Sequence, residues 1–285
     1  IFYYKSIMAS LDKIDSAIEY KIDLNAGKLP YKGKGLSGCI DINSQPIEVQ
    51  RRYGVEHLAA AYRIFSKKGF DLGLVGHISF RDPEYKDCFW INPLGYHFSQ
   101  IKVSDLCLMH QDGTMVYGNE RTGDAAQSIH SNIYKSRPEI NAIAHAHPMH
   151  GKTFSALGIE LKPISQDSCA FFERTATFAD YDGVANGPDE GINIAKALGD
   201  KDFVILQNHG ILTTGTMVDT AAWYFLNMEE ACQSQMLAES VGELIVIPDE
   251  IARQTRDYVA NDLSAFASMQ PILDVLWENE PDFLD

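Results

Sequence analysis

Two histidines separated by one small residue are the first candidates for chemistry, in the run Ala144-His145-Ala146-His147. The run ends a predicted strand, where alternate side chains project from one face, so both imidazoles can reach a single cation about 2.0–2.1 Å from each nitrogen. His209 is a third candidate, because Gly210 removes side-chain bulk from the turn that holds it. Three imidazoles with an open coordination position are typical of catalytic zinc sites. By itself, the spacing leaves open a polar strand face and an ordinary turn.

Hydrophobic periodicity and Gly or Pro breaks predict the elements that position these histidines. An apolar stripe indicates a helix that begins near Ile47 and stops at Gly69, and two more helices are predicted over 124–135 and 217–239. Short apolar runs predict strands over 74–80, 88–91, 106–109, 140–147 and 203–206. We therefore expect one α/β domain over 47–240, with an N-terminal extension over 1–46 and a C-terminal extension over 241–285.

The composition argues against several classes of partner. Lys and Arg number 24 against 39 Asp and Glu, a formal net charge of −15, which leaves no basic surface for nucleic acid or anionic lipid. No run approaches the roughly 18 apolar residues of a membrane span, so we expect a soluble protein. The five cysteines are scattered and form no C-x-x-C pair, which favours a reducing, cytoplasmic compartment.

Short sequence blocks that occur in the same order resemble the class II aldolase and adducin head-domain family over residues 48–240. The blocks are Gly76-His77-Ile78-Ser79, Asn92-Pro93-Leu94-Gly95, Ser104-Asp105-Leu106, Ile129-His130, Arg137-Pro138-Glu139, His145-Ala146-His147, Gln166-Asp167, Glu190-Gly191 and Asn208-His209-Gly210. The resemblance implies a three-layer α/β/α fold around a mostly antiparallel sheet. It also implies a cyclic homotetramer with active sites between subunits.

The same resemblance implies a metal-dependent activity on a small carbohydrate. In the family's aldolases three histidines hold zinc or a similar divalent transition metal, and they correspond to His145, His147 and His209. The metal acts as a Lewis acid that stabilises an enediolate when a carbon–carbon bond of a ketose breaks. The matching blocks further predict substrate contacts at Gly76, His77, Ser79 and Gly95.

The sequence departs from the sugar-phosphate aldolases at the general base. Those enzymes carry Pro-Ser-Ser-Glu before the helical histidine, and alignment on His130 places Gly123-Asp124-Ala125-Ala126 there. The base position is thus Ala126, and both phosphate-contacting serines are absent. We predict Asp124 as the substitute base, with the helix N-cap as its alternative role. Tyr181 is the predicted proton donor, since a tyrosine often serves the family in this way; a packing role is the alternative.

The phosphate-binding glycine-asparagine block of the family appears here as Gly76-His77, so three phosphate contacts are changed in all. This puts a phosphorylated substrate in doubt. We predict a zinc-dependent aldolase acting on a ketose or ketose phosphate of the L-fuculose 1-phosphate type. The alternatives are a metal-dependent decarboxylase or oxygenase on the same fold, and a non-catalytic adducin-like binding module.

Overall fold

The computed structural model describes residues 20–180 and 188–285. Eight strands lie in these ranges: β1 His77–Arg81, β2 Cys88–Ile91, β3 Cys107–His110, β4 Met115–Tyr117, β5 Ala142–Ala146, β6 Thr175–Phe178, β7 Phe203–Leu206 and β8 Gly210–Gly215. They form one sheet in the order β4-β3-β2-β1-β5-β8-β7-β6. Neighbouring strands are antiparallel except β6 and β7, which are parallel. The sheet is therefore mostly antiparallel, as the sequence resemblance implied.

Helices cover both faces of this sheet. They are α1 Ile47–Lys67, α2 Asp124–Ser136, α3 Met149–Ser155, α4 Pro188–Leu198, α5 Val218–Val241, α6 Asp249–Val259 and α7 Asp262–Asn279. Ala142, Ala144 and Ala146 belong to the hydrophobic cluster that includes α1, α5 and α7, whereas Ile143 belongs to the cluster formed with α2 and α4. Successive side chains of β5 thus face opposite layers. The predicted three-layer α/β/α fold is confirmed.

The small side chains of β5 have a structural role. Ala144 and Ala146 are fully buried, and α5 packs directly against their strand. Because an alanine adds only one methyl group, the helix axis can approach the sheet closely on this side. The opposite face of β5 is left to the larger residues at positions 143 and 145.

Several predicted elements agree with the structure and others were missed. Helix α1 begins at Ile47 as predicted, β2 and β7 have the predicted bounds, and the predicted helix over 217–239 corresponds to α5. The strands β4, β6 and β8 and the helices α3, α4, α6 and α7 were not predicted. Residues 249–279 of the expected C-terminal extension form α6 and α7, and α7 packs against α1 and α5. In the described ranges, no helix combines the length and apolarity needed to cross a membrane.

Candidate metal centre

Three histidines converge where β5 ends and β8 begins. His145 lies on β5, His147 lies one residue past its end, and His209 lies in the turn between β7 and β8. One ligand nitrogen of each residue lies within 4.8 Å of the others, and the ring centroids are 4.6–5.1 Å apart. The structure therefore brings together the three residues that the sequence singled out as metal ligands.

The turn that carries His209 is fixed by its two neighbours. Asn208 has φ +56°, a left-handed conformation that asparagine tolerates better than most residues. A Cβ at Gly210 would lie 2.7 Å from the carbonyl oxygen of Ala146 and 3.2 Å from Cδ2 of His147. Only glycine lets β8 begin this close to β5. Any side chain at position 210 would clash with the backbone of Ala146 and crowd the ring of His147.

The hydrogen bonds and burial of His145 prepare it for a cation. Its Nδ1 lies 2.9 Å from the carbonyl oxygen of Ile211. Because a carbonyl only accepts, Nδ1 carries the proton and Nε2 keeps its lone pair for a metal. Burial lowers the pKa of His145 well below its ordinary value, and the nearby His209, His77 and His147 lower it further. The imidazole is thus neutral at pH 7, the form that binds metals.

The other two imidazoles are neutral for the same main reason. Burial lowers the pKa of His147 to about 4, with additional contributions from His209 and Lys152. Burial also lowers the pKa of His209. Three neutral nitrogen donors that converge from two strand ends fit a divalent transition metal with further positions open to substrate.

A chain of buried hydrogen bonds joins this centre to α2. Nδ1 of His77 lies 2.6 Å from Nε2 of His130, whose Nδ1 is hydrogen-bonded to the hydroxyl of Ser79. The Ser79 hydroxyl in turn lies 2.7 Å from the hydroxyl of Tyr134. Burial lowers the pKa of His130 to about 3 and that of His77 well below its ordinary value, so both rings are neutral. Sequence reasoning missed Tyr134, although its spacing of i, i+4 from His130 on a helix was a usable signal.

The predicted substrate contacts fall at different depths. Gly76, with φ +94°, precedes β1, and a Cβ there would lie 3.2 Å from that of Ala146. His77 follows it beside His145. Ser79 is fully buried behind them and bonds to His130 and Tyr134. Gly95 lies in the loop after β2 with φ +91° and open space around it.

The fold gives little support to the predicted base, Asp124, and does not test the predicted proton donor, Tyr181. Asp124 is the first residue of α2 and is exposed, while Gly123 precedes it as the N-cap. The alternative role of Asp124 as N-cap is therefore wrong, because the helix begins one residue earlier than that role requires. Ala126, at the base position of the family, is buried and only 4% exposed. Tyr181 lies outside the described residues.

A carboxylate contact to the helix that follows His147 had no signal in the sequence. Glu229 on α5 accepts hydrogen bonds from the backbone N–H groups of His150 and Gly151, at 2.9 and 2.6 Å. It also accepts one from Nδ1 of His150 at 2.9 Å. These groups open α3, so Glu229 binds the first turn of the helix that follows His147 and anchors it to α5.

The fold, a mostly antiparallel sheet between two layers of helices, is that of the class II aldolase and adducin family. Residues 56–236 match the family described as "Class II Aldolase and Adducin N-terminal domain", and the chain belongs to this family. The resemblance inferred from the sequence is thereby confirmed.

Three similar proteins differ in their named activities. The "4-hydroxy-3-prenylphenylpyruvate oxygenase/4-hydroxy-3-prenylbenzoate synthase" of Streptomyces roseochromogenus subsp. oscitans is 39% identical over 226 residues, 79% of this chain and 82% of that protein. "Decarboxylase NovR" of Streptomyces niveus is 38% identical over 226 residues, 79% of this chain and 84% of that protein. The structure of "L-fuculose 1-phosphate aldolase from Glaciozyma antarctica PI12" has a TM-score of 0.78 and 38% identity, and the match covers 86% of this chain and 98% of that chain.

Proposed function

We propose that this chain is a divalent-metal-dependent lyase that cleaves a carbon–carbon bond beside a carbonyl group. The observation that carries the proposal is the convergence of His145, His147 and His209, whose ligand nitrogens lie within 4.8 Å of one another. Zinc or a similar ion held there would act as a Lewis acid and stabilise negative charge on the substrate's carbonyl oxygen. The first candidate reaction is aldol cleavage of a ketose of the L-fuculose type. The 38% identity to an L-fuculose 1-phosphate aldolase supports it.

We propose that His77 orients the substrate. Its Nδ1 faces His130 at 2.6 Å, so only Nε2 is left for a hydrogen bond to a substrate oxygen. Ser79 and Tyr134 continue the hydrogen-bond chain behind His130 and hold that ring in one orientation. A rigid, desolvated chain of this kind keeps the outer imidazole in place without further reorganisation during the reaction.

Proton transfer in aldol cleavage is assigned, as a proposal, to Asp124 and Tyr181. A base must take the hydroxyl proton of the substrate while a carbon atom gains one. Asp124 is exposed in the single chain, so it can serve only where substrate or a second subunit covers it. This fits the homotetramer that the family resemblance implies, with sites between subunits. Light scattering that gave a monomeric mass would remove that part of the proposal.

The residues at the positions of the family's phosphate contacts support an unphosphorylated substrate. The two serines and the asparagine that contact phosphate in the sugar-phosphate aldolases correspond here to Asp124, Ala125 and His77. An aspartate repels a phosphate and an alanine offers it no hydrogen bond. The chain's formal charge of −15 adds to this repulsion.

Loss of CO2 from an oxo or hydroxy acid is the second candidate, and Ala126 favours it. A carboxylate substrate arrives ionised, so breaking its carbon–carbon bond requires no base to remove a hydroxyl proton. The carbon that loses CO2 then takes up one proton. The missing glutamate is therefore a smaller obstacle here than in aldol cleavage. The relatives named as a decarboxylase and as an oxygenase/synthase support this candidate.

Assays of metal-reconstituted protein test the proposal. The protein is loaded separately with Zn²⁺, Mn²⁺ and Fe²⁺ and incubated with L-fuculose, L-rhamnulose, fuculose 1-phosphate and 4-hydroxy-3-prenylphenylpyruvate. Aldehyde is measured by coupled reduction and CO2 by trapping, with His145→Ala as the inactive control. Aldehyde release from the sugars supports the first candidate, and CO2 release from the oxo acid in the absence of O2 supports the second. Absence of both products with every metal would sink the lyase proposal.

A further inference from the structure

A cavity of about 210 Å³ lies between α1, α7 and the segment over 29–40. Each helix contributes side chains at i, i+4 spacing, Tyr53 with His57 on α1 and Leu273 with Trp277 on α7. We call it the α1–α7 cavity. Its volume exceeds the roughly 150 Å³ that suffices for a benzene ring in an apolar cavity.

Aromatic rings form part of the wall of the α1–α7 cavity. Tyr31 stacks on Trp277 with ring centroids 5.8 Å apart and planes at 17°. Tyr53 stacks on His57 with centroids 3.8 Å apart, and His57 meets Trp277 edge-on at 5.8 Å. Flat, preordered surfaces of this kind suit a planar ring, which packs against them with little loss of conformational entropy.

The charged groups in the wall already have partners. Lys32 pairs with Asp274 at 2.8 Å, and Glu56 pairs with Arg52. The backbone N–H of Gly35 also donates to Asp274 at 2.6 Å, which holds the segment over 29–40 against α7. Because these charges are already paired, an ionic ligand in the cavity would find no partner of opposite charge.

His57 lines the cavity and has one ring nitrogen that could bond to a ligand. The side chain is 5% exposed, and its Nδ1 lies 2.8 Å from a carboxylate oxygen of Asp219. Because a carboxylate only accepts, Nδ1 carries a proton, which leaves Nε2 for a ligand. Across the part of the chain that the structure describes, Nε2 of His57 has no hydrogen-bond partner. A ligand hydroxyl, which can both donate and accept, would bond to it.

The α1–α7 cavity is separate from the metal centre. Helices α1 and α7 pack on the face of the sheet that buries Ala142 and Ala144 of β5, whereas His145 projects from the opposite face together with Ile143. Asp219, the partner of His57, lies at the start of α5, beyond Gly215 at the far end of β8 from His209. The two sites thus lie on opposite faces and at opposite ends of the β5–β8 pair.

We propose that the α1–α7 cavity is a second binding site, for a neutral phenol with a single ring. The ring packs against Tyr31, Trp277 and Leu273, and the hydroxyl forms a hydrogen bond with Nε2 of His57. This site is independent of the proposed lyase reaction, since no residue of the metal centre lines it.

The first test is a titration of the full-length protein with 4-methylphenol, followed by tryptophan fluorescence, with toluene as the matched ring without a hydroxyl. His57→Asn keeps a donor to Asp219 and removes Nε2, so it weakens phenol binding about tenfold, the worth of one hydrogen bond, and leaves toluene binding unchanged. Leu273→Phe narrows the cavity and weakens binding of both compounds. His145→Ala, at the metal centre, leaves both affinities unchanged.

Three results would overturn the proposal: no saturable binding of 4-methylphenol, equal phenol affinity for His57→Asn and wild type, or loss of binding in His145→Ala. If circular dichroism shows that the cavity variants are unfolded, crystals of the wild-type protein decide. After a soak in 4-bromophenol, a bromine anomalous peak inside the α1–α7 cavity supports the site. Its absence there overturns the site.

Discussion

His77 lies directly opposite His145 on the neighbouring strands β1 and β5, and their imidazole centroids are 4.8 Å apart. The antiparallel register thus places a fourth imidazole beside the three that converge as candidate metal ligands. Nδ1 of this fourth ring is held by His130 at 2.6 Å, so only its Nε2 can meet a substrate. We infer a division of roles, in which three rings bind the metal and His77 contacts the substrate.

Replacing His77 with alanine tests this division. The change removes one hydrogen bond to a substrate oxygen, and we expect kcat/KM to fall at least about tenfold. The metal content stays at the wild-type value, because His77 is outside the group of converging ligand nitrogens. Elemental analysis after dialysis and steady-state kinetics measure the two quantities. His110→Ala, on β3, is the matched control and changes neither. Loss of metal from His77→Ala would instead make it a ligand.

His147→Ala and His209→Ala test the metal centre itself. Changes to residues that only support a ligand cost roughly 10–100-fold in metal affinity, so loss of a ligand costs at least about 100-fold. The dissociation constant for Zn²⁺ is measured by competition with a chromophoric chelator. His97→Ala, at an exposed histidine that pairs with Asp71 at 3.2 Å, should keep the wild-type constant. Unchanged zinc affinity in both ligand variants would contradict a three-histidine site.

Ser79→Ala tests the hydrogen-bond chain behind the centre. The serine hydroxyl is fully buried and meets both His130 and Tyr134, so its removal leaves two buried polar groups with one partner fewer. We expect the free energy of unfolding to fall by about 2 kcal/mol in urea titrations. Ser240→Ala removes an exposed hydroxyl on α5 and changes stability by less than about 0.5 kcal/mol. Equal stability of Ser79→Ala and wild type would exclude a structural role for the chain.

The sequence indicated which residues are candidate metal ligands, but not the strand pairing that brings them together. Alternation along a strand was enough to place His145 and His147 on one face, and Gly210 marked the turn of His209. Their meeting depends on the pairing of β5 with β8, where Ala146 lies opposite Ile211. No local pattern encodes this pairing, since β8 contains two glycines and two threonines and shows little hydrophobic alternation. The family resemblance supplied what periodicity could not.

Other elements were missed for equally local reasons. Strand β6 reads Thr-Ala-Thr-Phe and buries only Phe178, so its apolar signal is weak. Helix α7 contains Pro271, a residue that usually ends or bends a helix. Its stability comes from tertiary packing, because Met269, Leu273 and Leu276 are buried against the rest of the core. Hydrophobic periodicity along the sequence does not reveal such long-range contacts.

Asp82 forms a buried ion pair that makes stability depend on pH. Its side chain is 0% exposed and accepts hydrogen bonds from Nε and Nη2 of Arg51, at 2.7 and 3.0 Å. It also accepts one from Nε1 of Trp90 at 2.9 Å. Burial alone would raise the pKa of the Asp82 carboxyl, but the hydrogen bonds and charge of Arg51 hold that pKa below its ordinary value of 3.8.

The sign of the pH effect follows from this depressed pKa. The ionised carboxylate contributes stability that is fully present above the unfolded-state pKa of about 4 and is lost as the pH falls through the lower pKa of the folded state. Asp82→Asn leaves the buried guanidinium of Arg51 without its main partner, and we expect a loss of about 3 kcal/mol in the free energy of unfolding at pH 7. The difference from wild type stays constant down to about pH 4 and shrinks below it.

Urea titrations at a series of pH values from about 7 to about 3 measure this difference. Asp200→Asn is the matched control, since that carboxylate is 89% exposed, and its effect should stay within about 0.5 kcal/mol throughout. A difference between Asp82→Asn and wild type that grew on acidification would mean that the folded protein binds the proton at Asp82 more tightly than the unfolded chain does. That result would reverse the assigned direction of the pKa, and desolvation of Asp82 would then outweigh its pairing with Arg51.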